Sequence, residues 1–225
     1  MEITLPRRYR GPVASANGGY ACGRLAAFVD ADDVEVTLRL PPPLERPLEV
    51  VRDAGVVQLL DGDALVAEAR GAVAEVTPQA PVSHEEAEAA RARHVRGWSL
   101  DFGECFVCGV RDDGLEIRVG PVAGREPLHA APIALDEPAR EIVWAAIDCP
   151  GAYAVGAEGR GDVVLGRMTA HLGRVPEVGE PCVVAAWPLG EDGRKLHAGT
   201  ALFAADGELL AIAHQVWVAP RGSDG

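Results

Sequence analysis

The chain has 225 residues, 48% hydrophobic and 24% charged, with 34 acidic side chains against 21 basic ones and a formal charge of −13. That apolar share supports a real core, in one large domain or two smaller units, and excludes wholesale disorder. The acidic balance excludes a nucleic-acid binder, whose surface must neutralise phosphates, and aromatics at 5% leave little for a base-stacking platform.

The opening residues, Met1-Glu-Ile-Thr-Leu-Pro-Arg-Arg, contain no apolar segment of the signal-peptide kind. Glycine, proline or charge interrupts every apolar stretch before it reaches a membrane-spanning length. A cytoplasmic protein without a membrane partner is therefore expected. Arg7, Arg8 and Arg10 form the densest basic cluster, which reads as a solvated face or as a phosphate contact.

In chain order, the first strong element follows Ser15-Ala-Asn17-Gly18-Gly19-Tyr20, where apolar residues after the glycine pair predict a helix. Val34-Glu-Val-Thr-Leu-Arg-Leu40 alternates strictly and predicts a half-buried strand. A Pro41-Pro-Pro turn leads to strands over 48–52, 56–60 and 64–76, with a turn at Asp61-Gly62. Ser83-His-Glu-Glu86 is a capping box, and the acids before Arg91, Arg93 and Arg96 complement the helix dipole up to a stop near Gly97. The polarity of this helix predicts an exposed connector. The expected division is 1–80 for an N-terminal half, 81–98 for the linker and 99–225 for a C-terminal half.

The second half is predicted to run a strand over 114–119, a helical segment over 142–155 broken near Pro150, and strands over 163–172, 182–189, 195–204 and 208–218. Asp61-Gly-Asp-Ala-Leu65-Val-Ala67 aligns with Asp206-Gly-Glu-Leu-Leu210-Ala-Ile212, and Gly19-Tyr20 has a counterpart around Gly151 and Tyr153. A two-copy repeat of one helix followed by several antiparallel strands accounts for both alignments.

A helix wrapped by a long antiparallel sheet is the hotdog arrangement, and two copies resemble the double-hotdog thioesterase-like superfamily around the acyl-CoA thioesterase II group. Asn17-Gly18-Gly19 resembles the glycine-rich entry to a hotdog helix. Ala146-Ile147-Asp148 is similar to the segment bearing that family's catalytic aspartate. Gly207 followed eight positions later by Gln215 is similar to its last-strand glutamine pattern. The resemblance implies an α+β double hotdog hydrolysing a small acyl thioester, a coenzyme A ester, with water activated by Asp148 and Gln215. Val163 stands where the family carries a Thr or Ser, and Thr169 lies further along. That departure points to the alternative, a non-catalytic protein binding an acyl chain or another small apolar ligand. Higher assembly is left open.

The residues themselves permit structural roles as well. Asn17, Gly18 and Gly19 read either as donors to a thioester carbonyl or as a turn and N-cap. Asp148, the one acid in an otherwise apolar segment, reads as a general base or as the N-cap before Cys149-Pro150. Gln215 shares a strand face with Ala211, Ala213 and Trp217, toward the helix or toward solvent. His214 points the other way.

The cysteines are Cys22, Cys105, Cys108, Cys149 and Cys182, an odd count that suits reduced thiols. Cys105-Phe-Val-Cys108-Gly109 resembles half a zinc site, but no second CxxC or HxxxH follows, and only the fold could recruit Cys149 or His129. No metal and no cofactor are expected, and Cys105 and Cys108 read as small apolar strand residues. Cys22 and Cys182 lack a histidine partner for nucleophilic chemistry.

Overall fold

The computed structural model describes residues 1–95 and 102–221. The first half comprises β1 (Glu2–Thr4), α1 (Gly18–Ala26), β2 (Asp33–Leu38), β3 (Pro47–Asp53), β4 (Val56–Asp61) and β5 (Ala64–Gly71). Then follow α2 (His84–Arg91), β6 (Gly120–Pro121), β7 (His129–Ile133), α3 (Arg140–Ala146) and α4 (Cys149–Ala154). The last four strands are β8 (Val164–Leu172), β9 (Cys182–Asp192), β10 (Lys195–Ala204) and β11 (Leu209–Val218).

The eleven strands of the described residues form one sheet in the order β1-β3-β4-β5-β2-β8-β11-β10-β9-β7-β6. Outward from its centre the two directions read alike: β2-β5-β4-β3-β1 on one side and β8-β11-β10-β9-β7 on the other. The copies meet where β2 pairs antiparallel with β8, from Asp33 opposite His171 to Thr37 opposite Arg167. This is a double hotdog. Each copy has its helix on one sheet face, so the buried inner residues of both copies form one continuous core around Leu25, Val36, Leu59, Met168, Leu196 and Leu202.

Several predicted elements differ, among them the strand over 64–76, which ends at Gly71. Residues 114–119 form no strand, and Glu116 has a positive φ of 49°, which breaks extended geometry. β9 pairs instead with β7, a strand that sequence alternation did not reveal, and β6 closes that edge against β7. The capping box forms, with the Glu86 N–H donating to Ser83 Oγ at 3.2 Å and the Ser83 N–H to Glu86 at 2.9 Å. However, α2 ends at Arg91, and the expected stop at Gly97 lies outside the described residues.

Helix α2 keeps its polar side exposed, as expected, but it is also seated on the sheet. Ala87 and Ala90 are fully buried over the outer face of the sheet, with Val183, Ala185, Trp187, Ala201, Phe203 and Ile212 in the same cluster. Gly120 permits this seat, because a Cβ there would lie 2.0 Å from the Ala90 carbonyl oxygen. Coverage on both faces explains why Cys182–Trp187 is buried throughout instead of alternating.

Helices α1 and α3 cross through glycines. A Cβ on Gly23 would approach Glu141 Cα to 2.7 Å and Trp144 Cβ to 2.8 Å. Gly23→Ala is therefore expected to destabilise the protein by about 1–3 kcal/mol in urea unfolding, the usual cost of overpacking. Gly159→Ala, with open space around it, should stay within about 0.5 kcal/mol.

Candidate functional site

The N-terminus of α1 and the junction of α3 with α4 meet in the core. Asn17 caps α1 by accepting the Tyr20 N–H at 2.9 Å on Oδ1. Its amide also donates to Asp148 Oδ2 at 2.9 Å, and the Gly19 N–H donates to that same oxygen at 2.9 Å. Asp148 precedes α4 but does not cap it with its side chain. Its carboxylate instead crosses to the start of α1, where backbone N–H groups and the helix dipole favour negative charge.

Gly19 makes that approach possible, since a Cβ there would lie 2.5 Å from both Asp148 Cβ and the Trp144 carbonyl oxygen. Asp148 is 2% exposed, and its Oδ1 is buried without a hydrogen-bond partner. Burial pushes the carboxyl up to about 7, against the opposing pull of the Gly19 N–H, with Cys105 raising it further.

Gln215 is wholly buried and faces the helices, as the strand alternation allowed. Its amide nitrogen lies 2.6 Å from the Ile147 carbonyl, 3.2 Å from the Asp148 carbonyl and 3.3 Å from Thr200 Oγ1. Its oxygen accepts from Trp217 Nε1 at 2.8 Å. Thus Gln215 meets the main chain of Asp148 and ties down the α3–α4 junction. Gly151 leaves room for it, because a Cβ there would sit 1.7 Å from the Gln215 oxygen.

Thr200 was not singled out from the sequence. The signal was available in the register: Ala198 lies opposite Gln215, so Thr200 is its diagonal neighbour on the same face. Val163 is fully buried and Thr169 nearly so, while the hydroxyl that meets Gln215 belongs to Thr200. His214 points outward and faces His197, with 3.1 Å between Nε2 and Nδ1. Burial first, then His197, lowers its pKa.

The Cys105–Cys108 segment is a turn, not the strand expected for it. The fold recruits Cys149 rather than His129, and the sulfurs of Cys105, Cys108 and Cys149 all lie within 4.8 Å of one another. Cys105 and Cys149 are 3.6 Å apart. Hydrogen bonds from Cys108 and Cys149 hold the Cys105 thiol well below the usual range, whereas those same contacts raise the other two. Cys22 and Cys182 lie elsewhere, buried in α1 and β9, and burial raises both thiols.

The basic N-terminal cluster is matched by acids. Arg8 pairs with Glu137 at 2.7 Å and Arg10 with Glu104 at 2.8 Å, and the Arg7 backbone N–H donates to Glu45. A surface cleft of about 520 Å³ lies beside this cluster, lined by Arg8, Arg91 and Arg111 together with Asp112, Asp113 and Glu137. Its mixed charge is not that of a purely basic phosphate funnel.

No protein-family model matches the chain, and no curated protein sequence matches it. Solved structures do share its fold. An acyl-CoA thioesterase II from Mycobacterium marinum is 13% identical, with a TM-score of 0.61 over 100% of this chain and 94% of its own. A conserved protein of unknown function with hot dog fold from Alicyclobacillus acidocaldarius is 12% identical, with a TM-score of 0.66 over 98% and 92%. The dehydratase domain of a mycocerosic acid synthase-like PKS is 17% identical, with a TM-score of 0.57 over 99% and 91%. These establish the double-hotdog fold and show that it carries more than one chemistry. No helix among the described residues is long and apolar enough to cross a membrane.

Removing Gln215 takes away the donor to the buried Ile147 carbonyl and breaks its contacts with the Asp148 carbonyl, Thr200 and Trp217. Gln215→Ala is expected to cost at least about 2 kcal/mol in urea unfolding, since each unpaired buried group costs about 1–3 kcal/mol. Trp217→Phe removes the donor to the glutamine oxygen and should cost about 1–2 kcal/mol by the same measurement.

Proposed function

We propose that this protein is a thioesterase-like hydrolase of a small acyl thioester, a coenzyme A ester, with Asp148 as the carboxylate that activates water. One observation carries the reading: both donors to Asp148 engage Oδ2, which leaves Oδ1 uncommitted in a fixed carboxylate. Such an oxygen can take a proton from a water as that water attacks the thioester carbonyl. The C–S bond then breaks, and the leaving thiolate takes up the proton.

In this reading Asn17 and Gly19 orient the base, because both already donate to it. Gly18, beside them at the start of α1, is assigned to the carbonyl oxygen, where the helix N-terminus stabilises developing negative charge. Gln215 is a positioning residue. It holds the Ile147–Asp148 turn through two carbonyls, and Thr200 supports it. The reading carries with it a cytoplasmic setting, where such esters occur.

A second reading has a specific observation behind it. Asp148 is 2% exposed and Gln215 fully enclosed, while Val163 offers no hydroxyl. These favour a non-catalytic protein that binds an acyl chain or another small apolar ligand on the same fold.

Acyl-CoA esters of graded chain length, assayed by free-thiol release beside a calorimetric binding titration, separate the two. Asp148→Asn keeps the size of the side chain and is expected to lower kcat/KM by at least about 100-fold with its circular dichroism retained. Unchanged turnover in that variant contradicts the role of Asp148. Binding without thiol release by the unaltered protein selects the second reading.

A further inference from the structure

We propose that Cys105, Cys108 and Cys149 bind one zinc ion through their thiolates, at the junction between the α1 N-terminus and the start of α4. Their sulfurs lie within 4.8 Å of one another, and those of Cys105 and Cys149 are 3.6 Å apart. Sulfurs bound at about 2.3 Å to a tetrahedral zinc ion sit about 3.8 Å apart, so modest closure meets the requirement. Soft thiolate donors select zinc over the oxygen-preferring divalent ions.

The surrounding structure is built as a metal-thiolate site would be. The Val107 N–H points at Cys105 Sγ at 3.4 Å, the turn-amide contact that stabilises a bound thiolate. The Asn17 amide reaches Cys149 Sγ at 3.7 Å and Cys105 Sγ at 3.9 Å. Gly109 closes the CxxC turn, since a Cβ there would lie 2.5 Å from both the Cys105 nitrogen and its carbonyl oxygen. The turn is also pinned to the scaffold: the Phe106 N–H donates to the Arg10 carbonyl at 2.7 Å, and the Ile117 N–H to the Val107 carbonyl at 2.8 Å.

An independent sign of a ligand is Asp148 Oδ1, buried beside this cluster without a partner. The Asn17 amide links that carboxylate to two of the three sulfurs. With three protein ligands in place, the fourth position of the ion is left for a water, which would give Oδ1 a donor. Binding displaces the thiol protons to solvent as three Zn–S bonds form, so no oxidant or reductant is required.

The test is metal analysis of the full-length protein purified without chelator and desalted. The expected result is about one zinc per chain. Cobalt exchanged into the site under reducing conditions should give sulfur-to-metal charge transfer and the intense visible bands of a tetrahedral thiolate centre. Cys108→Ser, at the one half-buried ligand, should retain at least about tenfold less metal while keeping its circular dichroism. Cys22→Ser, remote from the cluster, should retain it fully. Unaltered, folded and reduced protein that takes up neither metal overturns the proposal, as does equal uptake by Cys108→Ser. Metal uptake without thioester turnover keeps this site and fails only the hydrolase reading.

Discussion

A single buried carboxylate at the seam of two helices governs this structure. Asp148 is 2% exposed, a position that costs several kcal/mol for an unpaired charge. The compensation comes from the other copy of the fold, through the Gly19 N–H, the Asn17 amide and the aligned peptides of α1. Neither helix supplies this arrangement alone. The bridge demands an unusually close approach, and that demand is written into Gly19 and Gly23 on α1. It also demands a fixed turn between α3 and α4, which Gln215 holds from the sheet.

These constraints link the sheet, the helices and the cysteine turn in one connected assembly. Gln215 and Thr200 face inward because the register of β10 with β11 puts them on the same side. Cys149 follows Asp148 directly, so fixing one places the other against the CxxC turn. The same Asn17 amide touches the carboxylate and two sulfurs. The chemistry proposed for Asp148 and the ligation proposed for the cysteines therefore share one hydrogen-bonded cluster. The fold alone does not decide the reaction, since related architectures include both a thioesterase and a dehydratase.

Much of this was legible in the sequence, for identifiable reasons. Strict alternation revealed most of the half-buried strands, and the aligned Asp-Gly turns exposed the repeat. Asp148 stood out as a lone acid among apolar residues, and the glycine pair marked the helix start. Other features depended on distant contacts. β7 is short and paired to β9, and β9, although predicted over 182–189, lacks alternation because Cys182–Trp187 is buried throughout. The surface polarity of α2 hid two alanines that seat it on the outer sheet. Cys149 joins Cys105 and Cys108 across a long chain separation, which no spacing motif could encode. The partners of Asp148 likewise required the fold, because a lone acid reads equally as cap or base until its acceptor geometry is known.

The most direct test of the bridge between the halves is a double-mutant cycle on Asn17→Ala and Asp148→Asn, with stability measured by urea unfolding. A charge-assisted contact across the helix seam predicts a coupling free energy of about 1.5–3 kcal/mol. Additivity within about 0.5 kcal/mol would contradict it, and would show that the carboxylate does not hold the two copies together.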